Sequence, residues 1–329
     1  MAITTGSSNK PGDPADTTAV PAVTGGRRRD GVYDGASGVQ RRKASGRALP
    51  AFYWMVVPAL LLFAFFHTLP VLVGVFFSFT NYAGYGAWEF VGFSNFLNLF
   101  QDDRVLKAYG FSFGFALVAT VLTNVFSLAI ALGLNAKIAA RNTFRGVFFV
   151  PYVLAILVVG YVFQFFFANS LPKLVPFIPV LRDNLLSSPD WAWVAIVVLA
   201  VWQASAFAII IYLAGLQTIP AELYEAASLD GANVWRQFSR ITFPLISAFF
   251  TINMVLSLKG FLQVFDHIVA LTNGGPGTAT ESITLLIYRG GFQGGEFAYQ
   301  TANAVIFVIV IMLVSLVQFR VLQRREVDF

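Results

Sequence analysis

Six apolar stretches, each close to 20 residues or longer, dominate this sequence. They fall near Phe52 to Phe79, Phe111 to Leu134, Gly146 to Phe167, Trp191 to Leu213, Phe243 to Phe265 and Thr301 to Phe319. Runs of about 20 apolar residues match the ~30 Å of hydrocarbon that a helix must cross. A run such as Val305 to Val310 would suit a buried strand in water, but in lipid an open strand leaves its backbone unpaired. The expectation is therefore an all-α polytopic membrane protein with six transmembrane helices. Composition agrees: 57% of the residues are hydrophobic and 12% are charged, whereas a soluble domain holds about a quarter charged.

Residues 1 to about 50 are of a different kind. They are rich in Gly, Ser, Thr, Pro and Ala and carry the basic clusters Arg27-Arg28-Arg29 and Arg41-Arg42-Lys43. Such a segment has too little apolar surface to offset the entropy of ordering, so a disordered tail is expected over 1–50, with the membrane domain over 51–329. A signal peptide is a poor fit, since the apolar stretch that follows is too long and lacks a small-residue cleavage site. Lys and Arg gather on one side: with the N-terminus inside, 16 lie on the inner side and five on the outer. That bias predicts cytoplasmic N- and C-termini and makes the net charge of +5 a topology signal rather than a nucleic-acid surface. The chain has no cysteine and two histidines, His67 and His267, which argues against disulfides, thiolate chemistry and a histidine-based metal site.

The segment at about 214–243, between the fourth and fifth spans, falls on the cytoplasmic side. It reads Ile219-Pro220-Ala221-Glu222-Leu223-Tyr224-Glu225-Ala226-Ala227-Ser228-Leu229-Asp230-Gly231-Ala232 and continues to Phe238, Ile241 and Pro244. Two short helices broken at Asp230-Gly231 are expected, with Pro220 in a first turn and Glu222 and Glu225 toward the positive helix end. Ala226, Ala227 and Gly231 offer a low face for close approach by another protein, and Gly231 is free to take positive φ. An amphipathic helix lying on the membrane surface is the other reading, and the residues alone leave both open.

The run Glu225-Ala226-Ala227, Asp230-Gly231-Ala232, Phe238, Ile241 and Pro244 resembles the EAA loop of ABC-importer permeases. Trp202-Gln203 with Leu213-Ala214-Gly215-Leu216-Gln217 and Ile219-Pro220 is similar to the lead-in to that loop in sugar permeases. Leu271-Thr272-Asn273-Gly274-Gly275-Pro276 with Ala279-Thr280-Glu281 resembles an outer-face stretch of the maltose, lactose and glycerol-3-phosphate branch. Val91-Gly92-Phe93-Ser94-Asn95-Phe96 and Arg145 with Phe149-Val150-Pro151-Tyr152 also fit. Departures are Phe111-Ser112, where many members carry Asn-Thr, and Asn303, where an apolar residue is common.

The resemblance, from about 54 to 320, implies a type I importer permease fold in a bacterial cytoplasmic membrane. It implies a second permease subunit forming a heterodimer, two ATPase subunits, an extracytoplasmic sugar-binding protein, and a sugar moved by alternating access. Glu225, Ala226, Ala227, Asp230, Gly231 and Ala232 would couple to the ATPase, and Thr272, Gly274, Gly275 and Pro276 would meet the binding protein. ATP and Mg would sit on the partner ATPase, since this chain has no Gly-x-x-x-x-Gly-Lys-Ser/Thr loop and no catalytic constellation.

Polar residues within the spans are the candidate substrate path: Asn124, Gln164, Gln203, Asn253, Lys259, Gln263 and Asn303. A polar group facing lipid is costly, so each should face a pore or a neighbouring helix, helix–helix hydrogen bonding being the commoner use. Lys259 and Gln263 share a helix face, with Asp266 one turn on and available for an ion pair to Lys259. Phe261, Phe265 and Tyr299 are candidate stacking surfaces, and His267 reads as a solvated interface residue. The alternative function is an ion-coupled secondary carrier, which would call for inverted repeats and intramembrane acids at the midplane; neither stands out.

Overall fold

The computed structural model describes residues 50–136 and 139–323. The expected disordered tail and the basic clusters within it lie outside the described residues. The chain divides into two compact units, Met1–Val56 and Val57–Phe329, and the second holds the helical bundle.

Among the described residues the architecture is helical, with one isolated antiparallel bridge, Thr80 to Phe90. Five helices are long and apolar enough to cross a membrane: α1 (Val56–Phe77), α3 (Asp103–Asn135), α5 (Ile156–Leu174), α6 (Ala192–Leu216) and α12 (Phe297–Gln323). At 33 residues α3 is about 50 Å long, so its ends project beyond the hydrocarbon. Shorter elements join them: α2 (Ser94–Leu99), α4 (Arg141–Val153), α7 (Ala221–Leu229), α8 (Val234–Leu245), α9 (Ser247–Leu262), α10 (Asp266–Leu271) and α11 (Ile283–Phe292).

The bundle is organised around α3, which packs on α6 and α9 through a face of small residues. Ala108, Ala116, Ala119 and Ala131 of α3 and Ala192, Ala195, Ala200 and Ala208 of α6 are all buried, which lets the backbones approach closely. α12 packs on α9 and α11, and α1 reaches α12 only near its end, where Gly74 lies against Thr301. The rest of α1 is exposed and mostly apolar, with Leu60 to Phe63, Phe65 and Phe66 uncovered among the described residues. Asn95 fastens the turn beyond α1, its amide donating to Ser78 O (2.9 Å) and Thr80 O (2.7 Å).

Two expected spans are not continuous. The stretch Gly146 to Phe167 breaks between α4 and α5, where Leu154 and Ala155 are extended. Pro151 supplies no N–H to the last turn of α4, so the helical ladder is already weakened there. The fifth span bends by 69° at Ile246, between α8 and α9, two residues after Pro244. It ends at Leu262, with Gln263 as its C-cap, and Asp266 starts a separate helix. Lys259, Gln263 and Asp266 therefore do not share one helix face. The ion pairs formed among the described residues are Arg104–Glu281 and Arg289–Glu281, not Lys259–Asp266.

Candidate functional site: coupling element, membrane cavity and outer loop

The segment between the fourth and fifth expected spans forms the two expected helices, α7 and α8, joined at Asp230-Gly231. Pro220 caps α7 from just outside rather than sitting in its first turn. Gly231 has φ of +74°, and the Gly231 N–H donates to Ser228 O (3.1 Å) while the Ala232 N–H donates to Ala227 O (2.9 Å). That pair of bonds is a Schellman stop, which requires the left-handed conformation a glycine adopts without strain. Asn233 then starts α8, its Oδ1 accepting from Arg236 N at 2.8 Å.

Side chains hold the two helices together. The Gln237 amide donates to Ser228 Oγ (3.0 Å) and Ala232 O (3.2 Å), and Tyr224 OH meets Thr242 Oγ1 at 2.9 Å. Glu225, Ala226, Asp230 and Gly231 are exposed, with Ala227 and Ala232 half-buried. Leu229 (90% exposed), Val234 (82%) and Trp235 (72%) are largely uncovered, although the Trp235 ring lies against Phe238. Large apolar side chains left this open mark a surface that a partner protein or the membrane covers.

A cavity of about 410 Å³ lies between α4, α6, α9 and α10, midway along α6. Its polar lining comes from Gln203, Asn253, Ser257, Gln263, Asp266 and His267, and Tyr152, Phe207, Phe261 and Phe265 supply aromatic walls. Three sequence candidates thus converge here, from helices far apart in the chain. Gln203 is also a staple: its amide donates to Pro151 O (3.3 Å) and Leu154 O (3.0 Å), the carbonyls freed by the α4–α5 break. Irregular backbone at membrane depth needs such a partner. Gln203 Oε1 in turn meets His267 Nε2 at 3.1 Å, so His267 is a half-buried cavity residue, not a solvated one.

The other polar candidates go elsewhere. Asn124 is buried and bridges helices, donating to Thr120 O (2.8 Å) and accepting from Tyr212 OH (2.6 Å). Asn303 accepts from Tyr109 OH (3.1 Å) and donates to Gln300 Oε1 (3.2 Å). Gln164 donates to Leu271 O at 3.3 Å near the outer end. Lys259 is exposed and does not line the cavity. Tyr299 donates to Asp102 Oδ2 (2.9 Å), away from the cavity. Ser112, one of the departures, has a structural use: its Oγ accepts from Ile283 N at 3.0 Å, satisfying a free donor at the start of α11.

The outer loop 272–282 is fastened rather than loose. Glu281 is 2% exposed and takes both edge N–H groups of Arg104, Nε to Oε2 and Nη2 to Oε1, each at 2.8 Å. Arg289 approaches the same carboxylate at 3.5 Å and donates to Asn273 O at 2.6 Å. Thr280 Oγ1 meets Thr272 Oγ1 (2.8 Å) and donates to Gly275 O (2.7 Å). Gly274 is buried, and a Cβ there would lie 2.9 Å from Leu285 and 3.1 Å from Arg289. Gly274 therefore makes room for Arg289 and is not available as a contact surface. Thr272, Gly275 and Pro276 are half-buried, while Asn273, Gly277 and Thr278 are exposed. The role of Arg104 was not legible because 177 residues separate it from Glu281.

A chain whose described residues form a multi-pass helical bundle, with an exposed two-helix element at one end and a polar cavity in its middle, has the build of a membrane transport subunit. It belongs to the family described as the binding-protein-dependent transport system inner membrane component, which matches residues 124–327. It is 36% identical over 282 residues to the multiple sugar-binding transport system permease protein MsmF of Streptococcus mutans, covering 84% of this chain and 97% of that one. It is 33% identical over 279 residues to the probable starch degradation products transport system permease protein AmyD of Thermoanaerobacterium thermosulfurigenes, covering 84% and 96%. Among solved structures it resembles a bacterial alginate ABC transporter in complex with an alginate pentasaccharide-bound periplasmic protein, with TM-score 0.70, 25% identity and coverage of 82% and 92%. These relatives are transport permeases, and this chain is a transport subunit rather than an enzyme.

Proposed function

We propose that this chain is one permease subunit of an ATP-driven, binding-protein-dependent importer that carries a sugar or oligosaccharide across the bacterial cytoplasmic membrane. Its partners in this reading are a second, different permease, two ATPase subunits and an extracytoplasmic sugar-binding protein, and both termini face the cytoplasm. ATP and Mg belong to the ATPase, and this chain holds neither. The sugar class is supported by the MsmF and AmyD relatives, whose names specify sugars and starch products.

The observation that carries the reading is the pairing of two features on one continuous path. α7 and α8 present uncovered apolar side chains, and α8 leads through the 69° bend at Ile246 into α9, which lines the cavity with Asn253, Ser257 and the capping residue Gln263. Amides and a hydroxyl recognise sugar hydroxyls, and Phe207, Phe261 and Phe265 suit the apolar face of a pyranose. ATP binding closes the ATPase pair, the latched α7–α8 unit moves with it, and α9 carries the displacement to the cavity. Hydrolysis restores the inward-facing state. Nothing on the path requires bond chemistry from this chain.

The test uses the lack of native cysteine. Ala226→Cys places a thiol on the exposed face of α7. In membranes holding the whole transporter, a bifunctional reagent should join this chain to an ATPase-sized partner, with a yield that changes on adding ATP. A thiol that is labelled from the cytoplasm yet never joins an ATPase would overturn the importer reading in favour of a secondary carrier.

A further inference from the structure

Arg145 lies in the second turn of α4, level with the last turn of α6, at the cytoplasmic end in the proposed orientation. It borders a cavity of about 520 Å³ walled by Phe148, Phe149, Ala206, Ile210 and Leu213, with Gln217 at the same end. Its Nε and Nη2 are closed off from solvent and have no hydrogen-bond partner. Among the described residues it makes no ion pair. The coupling element, the sugar cavity and the outer loop do not use it.

Arg145 as a whole is half-buried, but guanidinium donors closed off without a partner are costly, and the cost falls when an anion meets them. The Nε and Nη2 edge is the fork that grips two oxygens at once. Arg104 uses that same edge on Glu281 at 2.8 Å, whereas Arg145 leaves it empty. The fork does not face the slot in this structure, so binding there calls for a rotation of the flexible Arg145 stem toward the slot the residue borders. The slot joins a positive end at the membrane edge to apolar walls running inward. That is the charge and polarity pattern of an anionic phospholipid, a phosphate at the interface and an acyl chain below it. A carboxylate-bearing protein segment would also bring backbone polar groups, and the walls offer it only Gln217.

We propose that Arg145 and the slot between α4 and α6 bind an anionic phospholipid of the cytoplasmic leaflet, with the phosphate on the Arg145 fork. The proposal rests on membrane insertion and not on the identity of the transported sugar. The full-length chain, purified from bacterial membranes in mild detergent, should retain phosphatidylglycerol measured by mass spectrometry of its extracted lipid. Arg145→Gln should lower that retention roughly tenfold, the worth of one charge-assisted bidentate contact. Arg145→Lys should lower it by less. Ala206→Trp, which fills the slot and leaves Arg145 in place, should lower it independently of any folding defect at Arg145. Retention equal to the parent's in both Arg145→Gln and Ala206→Trp would overturn the proposal. So would unchanged lipid with loss of a co-purifying membrane protein, which would assign the fork to a protein carboxylate, or release of inorganic phosphate in place of lipid.

Discussion

The loop 272–282 and the proposed coupling element, α7 and α8, are both short connections rich in small residues, and they are held in opposite ways. The outer loop is anchored by a buried carboxylate: Glu281 ties it to the start of α3 through Arg104 and to α11 through Arg289. The coupling element has no ion pair among the described residues and is held by neutral side-chain bonds, with its apolar residues facing outward. A buried charge network gives one geometry, because breaking it strands a charge. Neutral latches at the surface hold two helices together yet leave their outer face free to bind. In the proposed transport cycle, the difference separates a fixed post from a moving part.

The hardest way to break the comparison is at Glu281. Glu281→Gln removes the charge that Arg104 and Arg289 share, at a cost of about 3 kcal/mol, the low end for a broken buried pair because Arg104 is half-exposed. The expected outcome is roughly a hundredfold faster proteolysis within 272–281 from the outer face, with ATPase recovery unchanged. Equal proteolysis would show that the loop is held by its threonine bonds alone.

Gln203→Leu comes next, at about 2 kcal/mol, since it strands the Pro151 and Leu154 carbonyls at the α4–α5 break. It should lower sugar uptake at normal membrane abundance, and uptake equal to the parent would remove Gln203 from the site. Gly231→Leu acts only on the moving part. Among the described residues, nothing beyond its chain neighbours lies within 4 Å of a Cβ there, but φ of +74° costs a leucine about 1–2 kcal/mol. ATPase recovered with the chain should fall about tenfold while proteolysis of the outer loop stays as in the parent.

How far the sequence revealed these regions depends on the range of the interactions. The α7–α8 break was legible because a Schellman stop is written in consecutive residues, Ala227 to Ala232. The breaks in the third and fifth spans were signalled by Pro151 and Pro244, but hydropathy averages over a bend. Continuity of an apolar run therefore did not mean continuity of a helix. The Gln203 staple joins residues about 50 apart, and the Glu281–Arg104 pair joins residues 177 apart. Such pairs are set by packing of α3 on α6 and α9, which no local pattern encodes. Asn124 and Asn303 look the same in sequence as Asn253, yet only Asn253 turns toward the cavity. Asn253 also joins helices, its amide donating to Ala208 O at 3.2 Å, so face rather than residue type decides which helix-joining Asn lines the cavity as well.

The smallest test lies at the fixed end and asks whether the post has a second anchor. Asp102 caps α3, its Oδ1 accepting from Arg104 N at 2.9 Å, and its other oxygen receives the Tyr299 hydroxyl of α12 at 2.9 Å. Tyr299→Phe deletes that one bond and keeps the ring and the cap. A bond to a carboxylate in a partly exposed setting is worth about 1 kcal/mol, so proteolysis of the outer loop should rise about fivefold, far less than for Glu281→Gln. If the double variant equals Glu281→Gln alone, the two anchors act as one unit, because α3 is released at the same step. If the effects multiply, α12 holds the outer end of α3 independently, and the post is fixed by two separate elements of the bundle.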